Sequence, residues 1–302
     1  MRILKQFPFL VLFALGVIWG TNFLFMKIVV SVISPLQVVW LRVLSGGLPI
    51  FVYALVMKVL SWKDCRRAHH FGAMALLANV LPYYFYVKGT QLLASGIAGV
   101  ISGTTPLMTA LLVVLILPAE KLNLQKGFGI FIGLIGVLLV ADLKSAFSFG
   151  KSGELVGVCF MLMGSISYAF AILYAKKVVA PLKMSSLQLA SYQALFASLL
   201  LIPVTPTQGM GAILENSKAL LALVLGLGLT GTGLAFVMYY FIIDKLGAIT
   251  ASSVYYIPPV IALLFGALFR SETVTFLQIL GTIIIITGIY FARDEGKHAV
   301  KT

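Results

Sequence analysis

Six stretches of this chain, 71–87, 92–119, 155–175, 219–243, 246–269 and 273–292, contain no Asp, Glu, Lys or Arg. As helix, rising about 1.5 Å per residue, each is about long enough to cross roughly 30 Å of hydrocarbon. Only 10% of the 302 residues are charged, against roughly 25% in an ordinary soluble domain, and 61% are hydrophobic. Such a composition cannot build a water-facing surface, so the chain is expected to be an all-α integral membrane protein. The first apolar run, 9–30, follows Arg2 and Lys5. It is longer than the apolar core of a signal peptide and holds Trp19, Asn22 and Lys27, so it reads as an uncleaved first helix.

Proline, glycine and charge clusters punctuate ten expected transmembrane helices, near 9–30, 35–58, 71–88, 95–117, 127–142, 154–175, 185–204, 219–242, 247–269 and 273–292. The net charge of +13 lies in the loops between these runs, not on one folded face, which argues against nucleic acid as a partner. With the N-terminus inside, fifteen of the 22 Lys and Arg residues fall on the inner side. The positive-inside rule then places both termini in the cytoplasm, in a bacterial-type inner membrane. Cys65 and Cys159 lie in segments that cannot easily meet and lack metal-ligand spacing, so no disulfide, metal or cofactor is implied.

The chain repeats itself. Tyr83-Tyr84-Phe85, Ala98, Pro106 and Glu120 are echoed by Tyr239-Tyr240-Phe241, Ala251, Pro259 and Glu272, 152 to 156 residues later. Gly129 and Gly136 match Gly281 and Gly288, and Pro35-Leu36-Gln37 faintly matches Ser186-Leu187-Gln188. The reading is two copies, 1–148 and 149–302, of five helices each. Five is odd, so the second copy enters from the opposite face, giving an inverted repeat of the kind found in secondary transporters.

Several motifs carry a family resemblance: Trp19-Gly20-Thr21-Asn22-Phe23, Leu41-Arg42, Ala94 through Gly99, Thr105-Pro106-Leu107, Glu120-Lys121-Leu122 and Gly129 to Gly136. A second copy runs from Gly247-Ala248 to Pro259, Glu272 and Gly281 to Gly288. In order and double occurrence these resemble the EamA branch of the drug/metabolite transporter superfamily, over nearly the whole chain. Pro118-Ala119 before Glu120 and the doubled Pro258-Pro259 depart slightly from it. The resemblance implies a ten-helix carrier with a central cavity, exporting amino acids or related metabolites, with a small-molecule substrate and the lipid bilayer as partners, as monomer or homodimer. An exporter of cationic or lipophilic drugs is the alternative, and a channel stands behind both.

Charged and polar groups in hydrocarbon are costly, which makes them candidates for the cavity wall. Arg42 offers a planar fork of donors to a carboxylate or phosphate, or else snorkels or ties a neighbouring carbonyl. Asn22 either binds substrate or bridges helices, and Trp19, three residues earlier, shares its helical face. Tyr83, Tyr84 and Tyr255 are candidate walls for an apolar or cationic part, whereas Tyr86 reads as interfacial belt. Lys27 reads as snorkelling to headgroups. Pro82, Pro106, Pro258 and Pro259 free backbone groups in mid-helix, and Pro106 and Pro259 are hinge candidates. Glu120 and Glu272 end equivalent helices on opposite faces, where each is a candidate gate pairing with a cation such as Lys121 or Arg270.

All nine acidic residues and all three histidines lie in loops or near helix ends. Coupling by proton exchange on a mid-membrane carboxylate is therefore not expected. Nor is an enzyme, because no nucleophile with a base and no metal-ligand set is in view.

Overall fold

The computed structural model describes residues 2–116, 124–141, 152–182 and 184–292, and among them there is helix and turn but no strand. Six segments are long and apolar enough to cross a bilayer: Phe7–Val30, Pro35–Val56, Ser95–Ile116, Gly153–Leu182, Leu187–Val204 and Ser217–Tyr239. Leu124–Val140, Val254–Arg270 and Phe276–Ala292 are shorter apolar helices. Their outer faces expose Phe13, Val52, Leu138, Leu200, Leu225 and Leu264, at 36% or more of each residue's surface. A contiguous apolar exterior of this kind suits a hydrocarbon solvent and no other.

The elements are α1 (Arg2–Val30), α2 (Pro35–Val56), α3 (Ala68–Ala75), α4 (Leu81–Leu92), α5 (Ser95–Ser102), α6 (Thr105–Ile116) and α7 (Leu124–Val140). After them come α8 (Ser152–Tyr174), α9 (Ser186–Leu201), α10 (Ser217–Leu221), α11 (Ala235–Ala251), α12 (Ile257–Arg270) and α13 (Phe276–Ala292). The expected third helix is α3 and α4 joined by a π turn, Leu76–Val80. The expected eighth is α10 and α11 joined by a longer π segment, Ala222–Leu234.

The prolines expected in mid-helix instead follow interruptions of the α-helical ladder. Pro82 comes just after the π turn, Pro106 just after the Gly103-Thr104 turn, and Pro258-Pro259 just after the 3-10 turn Ser252–Tyr256. A proline lacks the N–H that would donate back along the helix, so it is best tolerated within the first turn after such a break.

Small residues set the packing. α12 lies between the glycines of two helices: Gly16 and Gly20 of α1 face Ile257 and Ile261, while Gly99 and Gly103 on the other side face Ala262 and Pro259. α7 runs along α13 with Gly129 against Gly288 and Gly136 against Gly281. A Cβ on Gly288 would stand 2.7 Å from both the Gly129 carbonyl oxygen and the Gly133 Cα, which are backbone atoms that cannot step aside. Gly288→Val is therefore expected to cost about 1–3 kcal/mol or more by overpacking, read as a lowered Tm of the detergent-purified protein. Gly153→Val, where a Cβ meets nothing within 4 Å, is expected to melt with the wild type.

α4 runs antiparallel to α8, and α1 packs on α11 and the π segment before it. α2 packs on α9 and on that same π segment, and α5 packs on α12. The turn at 93–94, the end of α1 and the end of α12 meet at one end of the bundle, termed the distal end below. The start of α3 and the end of α8 meet at the opposite end, where His70 Nδ1 lies 2.8 Å from the Tyr174 hydroxyl, and further along α8 the Ser167 hydroxyl donates to the Leu77 carbonyl over 2.9 Å.

Candidate functional site

Arg42 lies two turns into α2 and is 2% exposed. Its Nε donates to Thr232 Oγ1 at 3.0 Å and its Nη2 to the Gly231 carbonyl at 3.3 Å. Both acceptors sit at the end of the π segment. Winding the chain five residues per bond there turns Gly231 and Thr232 towards α2, a use of π helix common at functional sites. The guanidinium carbon lies 4.0 Å above the ring of Tyr83, close enough for a cation–π attraction. None of these partners is a carboxylate, and Nη1 is buried with no partner at all. A buried cation whose donors are not all used is expensive. The guanidinium therefore keeps donor capacity that no described residue uses.

Asn22 projects from α1 against Gly231, at a point where a glycine Cβ would have no room. Its Oδ1 is a buried acceptor without a donor. One turn earlier, Trp19 stacks on Tyr255 at 5.6 Å and leans on Tyr239 at 5.5 Å.

These groups line one cavity of about 200 Å³, which includes Trp19, Asn22, Arg42, Tyr83 and Tyr255 of the residues singled out above. It continues past Met74, Ala78 and Ala175, towards the end of the bundle opposite the 93–94 turn. Tyr84 does not line it and packs its ring against Phe85 at 5.8 Å. Tyr86, expected in an interfacial belt, is buried in the wall instead, its hydroxyl 3.1 Å from Thr105 Oγ1 and 3.2 Å from Ser165 Oγ. Tyr168 and Gln193 also line the cavity, and Thr232 joins it through Arg42; one polar residue in an apolar run carries no local signal in the sequence. Gln193 had a faint one. It stands 151 residues after Arg42, in the register that pairs Pro35-Leu36-Gln37 with Ser186-Leu187-Gln188.

Two charged side chains fasten helices to one another at the distal end. Lys27 does not reach outward; its Nζ donates to the carbonyls of Thr90, Gln91 and Leu93 at 2.9, 3.0 and 2.6 Å. These are the acceptors left over where α4 ends, and a cation there also opposes the helix dipole. Glu272 binds the neighbouring α5 rather than a cation such as Arg270. It accepts from the Ser95 N–H at 2.8 Å, the Ser95 hydroxyl at 2.7 Å and the Gly96 N–H at 2.9 Å, at the start of α5. Both sides of the 93–94 turn are thereby fastened to the helices packed beside it. Nearby, Gln37 donates to the carbonyls of Pro206 and Gln208 at 2.7 and 2.9 Å. Pro259 is buried against Gly103, Pro106 is half-buried at the start of α6, and Glu120 lies outside the described residues.

Comparison with known proteins adds the family. The EamA-like transporter family matches the chain twice, over residues 6–141 and 155–293. The "Uncharacterized inner membrane transporter YedA" of Escherichia coli K12 is 29% identical over 292 residues, covering 96% of this chain and 92% of that protein. The "Uncharacterized transporter YoaV" of Bacillus subtilis is 26% identical over 273 residues, covering 90% and 92%. A solved crystal structure superposes with a TM-score of 0.63 at 19% identity, over 94% of this chain and 97% of the other.

Proposed function

The chain belongs to the EamA-like transporter family and is a multi-pass membrane transporter, and we propose that it is an alternating-access carrier exporting amino acids or related small carboxylates. In this reading ten helices cross the inner membrane as two inverted repeats, 1–148 and 149–302, with both termini in the cytoplasm. The double family match supports the repeat, and so does the packing. Exchange of the two halves turns the α4–α8 contact into the α11–α1 contact, and maps α2–α9, α5–α12 and α7–α13 onto themselves. The crossed glycine pairs, Gly129 with Gly288 and Gly136 with Gly281, are related in the same way.

The observation that carries the substrate class is the buried Arg42 nitrogen without a partner, beside the unpartnered Asn22 oxygen. A donor that is cationic and an acceptor that is neutral, on either side of Gly231, suit a carboxylate and an adjacent amino group. The aromatic wall of Trp19, Tyr239 and Tyr255 favours the second reading, a cationic or lipophilic drug. Against it stand Arg42 and a cavity of about 200 Å³, small beside the roughly 300–1,000 Å³ of sites that take drug-sized ligands. Among the described residues that line the cavity there is no carboxylate and no imidazole, which supports exchange without direct proton coupling.

Counterflow of a labelled amino-acid panel into proteoliposomes, with no ion gradient, tests the reading. Saturable uptake driven by unlabelled amino acid on the far side is expected for some members. Uptake of none, with uptake of an aromatic cation, would transfer the assignment to the drug reading.

A further inference from the structure

Arg42 has a structural counterpart in the second half of the chain. It stands seven residues after Pro35, the first residue of α2, and Gln193 stands seven after Ser186, the first residue of α9. Arg42 bonds to Gly231 and Thr232 in the π segment Ala222–Leu234 of the second half. Gln193 bonds to Asn79 in the π turn Leu76–Val80 of the first half, its Nε2 donating to Asn79 Oδ1 in a short contact. Each pair thus joins a helix of one half to the π-wound stretch of the other. Gln193 and Asn79 are buried, at 4% and 1% exposure, and Gln193 lines the same cavity as Arg42.

An amide pair joined by one bond keeps capacity to spare: two lone pairs on the Gln193 oxygen, and the NH₂ hydrogens that the bond leaves. Such capacity is costly in an apolar interior unless something uses it. The two poles differ in one respect, since the first presents a cation and the second a neutral donor and acceptor.

We infer that Gln193, positioned by Asn79, is the second polar anchor of the cavity and holds an uncharged hydrogen-bonding group at the end of the substrate away from its carboxylate. The inference rests on the reading of Arg42 as the carboxylate site. The substrate is then a carboxylate with an amide or hydroxyl tail. An aliphatic tail would leave the spare lone pairs and hydrogens of the amide pair unused, and a second carboxylate would meet no cation among the described residues there.

L-Glutamine and L-norleucine have side chains of nearly equal length that end in an amide and a methyl group, and so probe this pole alone. In competition for counterflow by the full-length protein, the wild type is expected to favour glutamine by about tenfold, the worth of one good hydrogen bond. The near-isosteric Gln193→Met variant is expected to reverse that order. The exchange Asn79→Gln with Gln193→Asn keeps an amide pair and is expected to restore it. Equal competition by both amino acids in the wild type, or a preference for glutamine that survives Gln193→Met, overturns the inference and leaves the Arg42 reading standing. Competition by neither amino acid in the wild type overturns both.

Discussion

Arg42→Ala is expected to lower amino-acid counterflow by at least about a hundredfold while the protein melts no earlier than the wild type. Losing one partner of a desolvated, charge-assisted pair costs about 2–5 kcal/mol, which is roughly thirtyfold to several thousandfold in binding. That loss falls on the substrate complex. In the empty protein the arginine has no carboxylate that its removal would strand. Thr232 Oγ1 keeps its own bond to the Leu227 carbonyl at 2.9 Å, and the Gly231 carbonyl loses only a long contact of 3.3 Å. Removing a buried cation also removes its desolvation cost.

A carrier arginine and a structural arginine therefore leave opposite signatures. Flux that vanishes with Tm unchanged or raised marks the substrate site. A Tm that falls together with flux would make Arg42 an interhelical tie between α2 and the π segment. Arg42→Lys keeps the charge but not the fork, since one ammonium cannot span Thr232, Gly231 and a substrate at once. It is expected to fall between the wild type and alanine.

The second large effect is expected at the distal end. Glu272→Ala removes the acceptor of three hydrogen bonds and leaves the first N–H groups of α5 without a partner. Hydrogen bonds to charged groups contribute about 1.5–3 kcal/mol each. Even if water regains most of this, an equilibrium favouring the distally closed state shifts by tenfold or more. The check is the labelling rate of Met26→Cys, at a buried cavity residue, in a protein whose Cys65 and Cys159 are serine. An impermeant maleimide supplied from the distal side is expected to react at least about ten times faster in Glu272→Ala, as population shift requires. Lys27→Met, which frees the Thr90, Gln91 and Leu93 carbonyls, is expected to act in the same direction. Labelling at the wild-type rate in both variants would reduce the two residues to helix caps with no part in gating.

If Glu272 gates the distal end, its equivalent across the repeat, Glu120, is expected to gate the opposite one. Glu272 binds the backbone of Ser95 and Gly96, and in the register that pairs Ala98 with Ala251 the corresponding residues of the second half are Ala248 and Ile249. If the halves exchange conformations, Glu120→Gln is expected to bias the carrier opposite to Glu272→Gln, which the same labelling assay reads from both sides.

Sequence by itself determined the solvent of this protein, because charge-free runs of that length cannot be hidden in water. It placed most helix ends to within a few residues, since loops tend to carry the charge that hydrocarbon excludes, but it put a loop at 243–246 where α11 (Ala235–Ala251) runs on through Asp244 and Lys245 and α12 begins only at Ile257. The glycines that interlock α7 with α13 were also legible, as matched pairs across the repeat. Tertiary structure alone decided which way each helix faces. Tyr83, Tyr84 and Tyr86 lie within one turn, and successive side chains point about 100° apart. Rotation of α4 against α8 then puts Tyr83 and Tyr86 on the cavity and turns Tyr84 away from it. The π stretches likewise have no compositional mark, being a choice of hydrogen-bond register made by packing. The same holds for Lys27, whose long stem reaches headgroups or carbonyls equally well until the end of α4 is brought within 3.0 Å of its ammonium.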